Sequence, residues 1–302
     1  MTRAVVFGYH DVGVRCLKTL LAQGIDVTTV VTHADDPHEN VWFESVADTA
    51  DSYGIRVTKP EAGQLAQLAE TLRSEAPDLI FSFYYRHMLP AAWLTMAPLG
   101  AFNMHGSLLP KYRGRVPVNW AVLHGETETG MTLHAMAQKP DAGDIIEQTA
   151  VPILPDDTAF DVFKKLTVAA EITLWRALPA LVAGNATRRP NLIGEGSYFG
   201  GRKPEDGRID WSRPRQAVYN LIRAVAPPYP GAFCTLGCNT LVIEAARLAS
   251  DTFPSMAPGL LVHDNHAFAV CGDGLALSLL RIQMAGAPLS TSALAALIQQ
   301  KS

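Results

Sequence analysis

Asn103 and His105 stand two positions apart, after the apolar pair Ala101-Phe102. On an extended backbone, alternation turns both side chains to one face. A carboxamide can donate an N–H to an oxygen on which charge develops, and an imidazole can take or give a proton near neutral pH. The pair suits acyl transfer. It equally suits a polar turn whose groups satisfy one another. Asp141 lies in Gln138-Lys139-Pro140-Asp141-Ala142-Gly143-Asp144, a run of turn-forming residues. If the fold brings it to His105, its carboxylate would orient the imidazole and raise its pKa.

Other chemistries find less support. Gly8-Tyr9-His10-Asp11-Val12-Gly13 follows a strand-like run but has neither the glycine spacing of a dinucleotide fingerprint nor the Gly-Lys-Ser/Thr of a phosphate loop. It reads as a plain strand-to-helix turn. Ser107 lies in His-Gly-Ser-Leu-Leu, which is not a nucleophile elbow. His87, His105, His124 and His134 lack metal-ligand spacing, so no metal is expected. His10, His33, His38, His263 and His266 are scattered and read mostly as surface or turn residues. Tyr84-Tyr85 could stack on a base, but only Arg86 accompanies them, and a half-buried strand end is the simpler reading.

The elements that must position these groups alternate strand and helix through the first half. Ala4–Phe7, Val27–Thr32 and Leu79–Phe83 are apolar strand-like runs, while Val14–Ala22 and Leu65–Ser74 carry helical spacing. That alternation predicts a parallel sheet with helices on both faces. Residues 101–125 begin apolar and become a polar and basic loop through Lys111-Tyr112-Arg113-Gly114-Arg115. Met131–Met136 and Ile145–Val151 are strand-like, and Phe160–Ala183 is a long helix with caps at Asp156-Asp157-Thr158. Beyond a Gly-rich stretch comes a short helix over Arg215–Val225. Five close-set strand-like runs then follow: Ala232–Leu236, Thr240–Ala245, Gly259–Val262, Ala267–Cys271 and Ala276–Ile282. These predict a small barrel, with a terminal helix over Leu294–Gln300. The divisions are 1–190, a linker at 191–205, and 206–302.

The chain has 302 residues, 48% of them hydrophobic and 18% charged, with mean hydropathy +0.09, enough apolar material for packed cores. Net charge is −4. Residues 1–200 hold 16 basic and 22 acidic side chains, net −6, and residues 201–302 hold 9 and 7, net +2. Nothing there attracts a phosphate backbone in general, so nucleic acid is not an expected partner. Cys16, Cys234, Cys238 and Cys271 form no Cys-x-x-Cys pair and read as reduced thiols. With no apolar run long enough for a membrane span and no evident leader, a cytoplasmic setting is expected. A homo-oligomer is compatible with the sequence, which fixes no oligomeric state.

Phe102-Asn103-Met104-His105-Gly106-Ser107-Leu108-Leu109-Pro110, Tyr112-Arg113-Gly114 and Asp141-Ala142-Gly143-Asp144-Ile145 together resemble the folate-dependent formyltransferase family, which includes the methionyl-tRNA formyltransferases. The resemblance is narrower to the ArnA-type formyltransferase domains of 4-amino-4-deoxy-L-arabinose lipid modification. It rests there on Val6–Asp11, Phe81–His87, His105–Arg115, Gly125–Gly130, Arg223–Ala226, Pro230–Phe233 and Cys271–Gly274. It implies a Rossmann-like, mostly parallel sheet with a smaller C-terminal OB-like barrel. It also implies catalysis by Asn103, His105 and Asp141, and a 10-formyltetrahydrofolate site lined by His87, Met88, Leu89, Arg115 and Ala137, Gln138, Lys139, Pro140 and Asp141. The same carry-over sets Tyr9, Ser107, Arg202 and Lys203 at a UDP-linked 4-amino sugar. Gly201 departs from the basic residue that the family tends to carry there, which leaves the sugar nucleotide open. Formylation of methionyl-tRNA, and a catalytically silent sugar-nucleotide or folate-binding module, are the rival readings. Glycinamide ribonucleotide formylation would leave the last hundred residues surplus.

Overall fold

The computed structural model describes residues 1–37, 40–60, 65–253 and 255–301, so His38 lies outside the described residues. In chain order the first elements are β1 (Arg3–Gly8), α1 (His10–Ala22), β2 (Asp26–Val31), α2 (Val46–Ser52), β3 (Arg56–Thr58), α3 (Leu65–Glu75), β4 (Leu79–Phe83), α4 (Ala91–Leu94) and β5 (Gly100–His105). Then come β6 (Arg113–Gly114), α5 (Pro117–Leu123), β7 (Glu128–Ala135), β8 (Ile145–Pro152), α6 (Ala159–Val182) and β9 (Tyr198–Phe199). The remainder is α7 (Arg215–Ala224), β10 (Ala232–Leu236), β11 (Asn239–Thr252), β12 (Gly259–His263), β13 (His266–Val270), β14 (Leu275–Met284), β15 (Ala287–Pro288) and α8 (Thr291–Lys301). Among the described residues no helix is long and apolar enough to cross a membrane.

The chain divides into two compact units. The first comprises Met1–Pro117, Glu128–Val151 and Lys164–Gly200. Its seven-stranded sheet runs β3-β2-β1-β4-β5-β7-β8. The pairs β2·β3, β1·β2, β1·β4 and β4·β5 are parallel, and β7 joins β5 antiparallel. The central strands are apolar on both faces because helices cover both, and Ala4, Val5, Val6, Phe7 and Leu79, Ile80, Phe81 are fully buried. One face packs Phe7, Ile80, Leu72 of α3 and Trp93 of α4 into a single cluster.

The second unit comprises Val118–Thr127, Pro152–Phe163 and Gly201–Ser302. It holds the antiparallel sheet β10-β11-β14-β13-β12, with β15 on β14. Register shifts along β11 at Ile243/Ala245, Ala245/Ala246 and Leu248/Thr252 bend the sheet into a half-barrel. Its inner side packs Leu241, Ile243, Leu277 and Ile282 with Tyr219 and Ile222 of α7. In the same unit Thr158 accepts from the Asp161 N–H at 3.2 Å, and the Asp161 carboxylate accepts the Thr158 N–H at 3.2 Å, a reciprocal cap that opens α6. All four cysteines are free thiols.

The loop expected over 101–125 is more ordered than its polarity implied. Residues 113–114 form a strand against Tyr198–Phe199, and Pro117–Leu123 is helical. Pro117 at the first helical position suits its fixed φ, a signal that the neighbouring basic residues mask.

Candidate active site

β4 and β5 are parallel neighbours, with Ser82 opposite Asn103. On β5 the alternation holds, and Asn103 and His105 share a phase of the strand. Antiparallel pairing with β7 then sets His134 opposite Asn103 and Thr132 opposite His105. The chain leaves β7 through residues 136–144 and returns Asp141 to this end of the sheet. Gly143 is required in that return, since a Cβ there would meet the Ala135 carbonyl oxygen at 1.9 Å. Asp141 sits at φ +49°, a left-handed conformation that a non-glycine residue holds only where its surroundings enforce it.

Three side chains converge on Asp141 Oδ1. His105 Nδ1 lies 3.5 Å away, Asn103 Nδ2 3.5 Å and His134 Nε2 3.6 Å. Asp141 Oδ2 accepts the Gly114 N–H at 2.9 Å. His105 Nε2 lies 2.8 Å from the Tyr112 carbonyl, which can only accept, so Nε2 carries a proton. His134 Nδ1 likewise donates to the Ala135 carbonyl at 2.9 Å. That leaves His134 Nε2 to accept from Asn103 Nδ2 at 3.1 Å, which fixes the direction of the Asn103 amide. One amide hydrogen is therefore committed, and the other faces Asp141 at a length too great for a strong bond.

Burial keeps His105 neutral, pushing its pKa below the usual histidine value. Asp141 and the Tyr112 carbonyl pull it up, while His134 and Arg113 add to the lowering. Burial alone would raise the Asp141 carboxyl, but His105, His134 and the Gly114 N–H outweigh it and hold it well below the carboxylate range. The resting pair is a neutral imidazole with its Nδ1 lone pair beside an ionised carboxylate. An imidazolium formed at His105 would be stabilised where it stands.

The surrounding loop is fixed by its own polar network. Ser107 is fully buried and donates to the Lys111 carbonyl at 2.6 Å. Thr132 Oγ1 donates to the Ser107 carbonyl at 2.6 Å and accepts from the Leu109 N–H at 3.2 Å and Gln148 Nε2 at 2.9 Å. Gly114, at φ +98°, lies so close to β9 that a Cβ would meet the Phe199 carbonyl at 2.1 Å.

The residues assigned to a formyl-donor site follow β4, β6 and β7. His87, Met88, Arg115, Gln138 and Lys139 are exposed, Met88 to 58%. Leu89 packs partly against the core beneath. Ala137 and Pro140 are half-buried in the turn that carries Asp141. Of the acceptor-site residues, Tyr9 is buried, its hydroxyl donating to Asp35 at 2.7 Å and its ring lying under Arg86 at 4.6 Å. Tyr9 and Ser107 therefore shape walls, with their hydroxyls already engaged. Arg202 and Lys203 belong to the second unit, where Arg202 lies over Trp120 at 4.8 Å and donates to the Asp206 carbonyl at 2.8 Å.

Two histidines read as surface or turn residues are neither. His10 stacks on Phe43 at 3.9 Å between ring centroids, and His33 stacks on Tyr85 at 4.2 Å. Burial, and then the Arg86 charge, lower His10 to about 3. Burial, His87 and Arg86 lower His33 to about 4. Residues missed in the sequence are His134 and Asn191, whose amide reaches the Asp141 turn. His134 stands on the polar phase of an alternating run, but its meaning appears only with the β5·β7 register.

Known proteins share this architecture. The model of a family described as formyl transferase matches residues 2–178, and that of its C-terminal domain matches residues 202–296. An N-formyltransferase from Helicobacter canadensis, solved with folinic acid and dTDP-3-aminofucose, is 20% identical over 94% of this chain and 100% of its own, with TM-score 0.72. WlaRD, a sugar 3N-formyl transferase solved in the presence of dTDP and 5-N-formyl-THF, is 19% identical over 95% and 99%, with TM-score 0.73. Glycinamide ribonucleotide transformylase 1 from Symbiobacterium toebii is 24% identical but covers only 63% of this chain and 94% of its own, with TM-score 0.54. At these identities the likeness is one of fold.

Proposed function

The chain belongs to the formyl transferase family, and from that premise we propose that it moves the formyl group of 10-formyltetrahydrofolate to the amine of a nucleotide-linked amino sugar. The convergence of Asn103, His105 and His134 on Asp141 Oδ1 carries this reading. The amine approaches the formyl carbon as the more weakly held hydrogen of Asn103 Nδ2 turns to the formyl oxygen, where charge develops. His105 takes the amine proton on Nδ1, its Nε2 being held by Tyr112, and Asp141 stabilises the imidazolium. The same nitrogen then returns a proton to the departing folate nitrogen. Exposed Met88, Arg115 and Lys139 suit a flat ligand with an acidic tail, and supply the donor side.

The sugar-nucleotide acceptor is supported by the two sugar N-formyltransferase structures, which match this chain along nearly its whole length. The glycinamide ribonucleotide enzyme covers only 63% of this chain. By sequence resemblance the acceptor is UDP-4-amino-4-deoxy-L-arabinose. We assign catalysis to residues 1–190 and a cytoplasmic setting. Methionyl-tRNA is disfavoured by a net charge of −4.

The test is formyl transfer measured by mass spectrometry with UDP- and dTDP-linked amino sugars and with charged initiator tRNA. Transfer to a sugar nucleotide is expected. Asn103→Ala and His105→Ala should each lose about 100- to 1000-fold in kcat while remaining folded. Near-normal turnover in either variant, or transfer to tRNA alone, would refute the assignment.

A further inference from the structure

We propose that Asn191, in the segment joining α6 to β9, is a positioning residue for the transfer reaction, holding the Asp141 turn against His105. The proposal rests on the formyl-transfer reading above.

Asn191 Nδ2 donates to the Asp141 carbonyl at 3.0 Å and to the Gly143 carbonyl at 3.2 Å. One amide thus grips the left-handed Asp141 and, two residues on, Gly143. The reverse amide orientation would set Asn191 Oδ1 against two carbonyl oxygens, so the grip fixes the amide. Its consequence is that Oδ1 is buried without a hydrogen-bond partner among the described residues. Folds retain such an unmet acceptor where the donor half of the group is needed.

The same segment also holds the other partner. A few residues on, the Ser197 side chain accepts the Tyr112 N–H at 2.8 Å, and its carbonyl accepts the Arg113 N–H at 3.0 Å. The Arg115 N–H donates to the Phe199 carbonyl at 3.0 Å. That loop presents the Tyr112 carbonyl to His105 and the Gly114 N–H to Asp141. Residues 191–199 therefore tie down both ends of the His105–Asp141 pair, and the 3.5 Å between them depends on this tie. The other charged or titratable groups acting on His105 are His134 from β7 and Arg113 from β6. Asn191 hydrogen-bonds to the Asp141 and Gly143 carbonyls, so an Asn191 variant acts first on the Asp141 turn.

The experiment uses the full chain with Asn191→Ala and the near-isosteric Asn191→Asp, which replaces the donor by an acceptor. Asp141→Asn serves as the reference. Two readouts are taken. The first is kcat and KM with 10-formyltetrahydrofolate and UDP-4-amino-4-deoxy-L-arabinose. The second is the NMR titration of His105 in histidine-labelled protein without substrate. A displacement near 1 Å costs about 100-fold in rate, so kcat should fall by that order with the acceptor KM within about twofold. In Asn191→Ala the His105 midpoint should move to lower pH, as in Asp141→Asn, and the Asn191→Ala/Asp141→Asn protein should move no further than Asp141→Asn alone; Asn191→Asp, which adds a carboxylate beside the pair, is read by kcat only. An unchanged His105 titration in Asn191→Ala, whether or not thermal stability drops, would overturn the proposal. If Asp141→Asn keeps full kcat, the transfer mechanism itself falls; if it is inactive while both Asn191 variants turn over normally, only the positioning role does.

Discussion

A buried histidine beside a carboxylate has two opposed influences on it, and their balance decides what the site can do. Burial prevails at His105, so the side chain rests below the usual histidine pKa and enters the reaction as a base. The sign for activity follows directly. The basic form is the competent one, so kcat/KM should hold steady down to pH 6.5, the ordinary histidine value. It should then fall about tenfold per pH unit below the lowered midpoint. An acid limb centred at pH 7 or above would contradict the neutral imidazole. Asn103 follows a similar logic. His134 fixes the direction of its amide at 3.1 Å, so the second hydrogen, held only weakly by Asp141, is the one left for the formyl oxygen.

At the scale of elements, the site is a product of register. The antiparallel entry of β7 beside β5 sets His134 opposite Asn103, and the tight return through Gly143 delivers Asp141. Gly143→Ala tests that return. Its methyl would collide with the Ala135 carbonyl, so the turn must open and carry Asp141 away. We expect kcat to drop by about 100-fold and stability by roughly 1–3 kcal/mol; full activity in a folded Gly143→Ala protein would show that the turn does not fix the carboxylate. Much of this was readable beforehand. Leu79–Phe83 is a strand because a short, mostly apolar run lies between helices, and Asn103 and His105 share a face because strands alternate. β6 and β9 were not readable, as two-residue strands carry no periodicity and exist only through each other. β11 was expected over Thr240–Ala245 but extends through Asn239–Thr252, because its bulges interrupt the alternation that would reveal its length. Asn191 gives no local signal, since its partners lie some fifty residues away.

For the molecule as a whole, the chemistry near the ends of β1, β2 and β4 has a consequence for stability. His10 and His33 are packed into an aromatic cluster with Phe43, Trp42 and Tyr85, and burial chiefly holds them at about 3 and about 4. In the unfolded chain both would titrate near 6.5. A folded-state value below the unfolded one means that the unfolded chain binds more protons in the interval, so stability is full above pH 6.5 and lost as pH falls towards the folded values. His10 contributes about 1.4 kcal/mol per pH unit, up to about 2 kcal/mol between pH 6.5 and 5; His33, only half-buried, adds less because solvent screens it. His105 adds in the same direction. Asp11, raised chiefly by burial, works oppositely, but only as pH approaches the carboxylate range. Asp141, held low, contributes stability that is lost only below the ordinary carboxylate pKa. Denaturant unfolding followed by tryptophan fluorescence should therefore show a lower midpoint at pH 5 than at pH 7.5. The His10→Gln/His33→Gln variant, without the two lowered imidazoles, should lose most of the difference. A wild-type midpoint equal or higher at pH 5 would mean that these rings are protonated in the folded protein, with His10 stacked on Phe43 as a cation instead of a neutral ring.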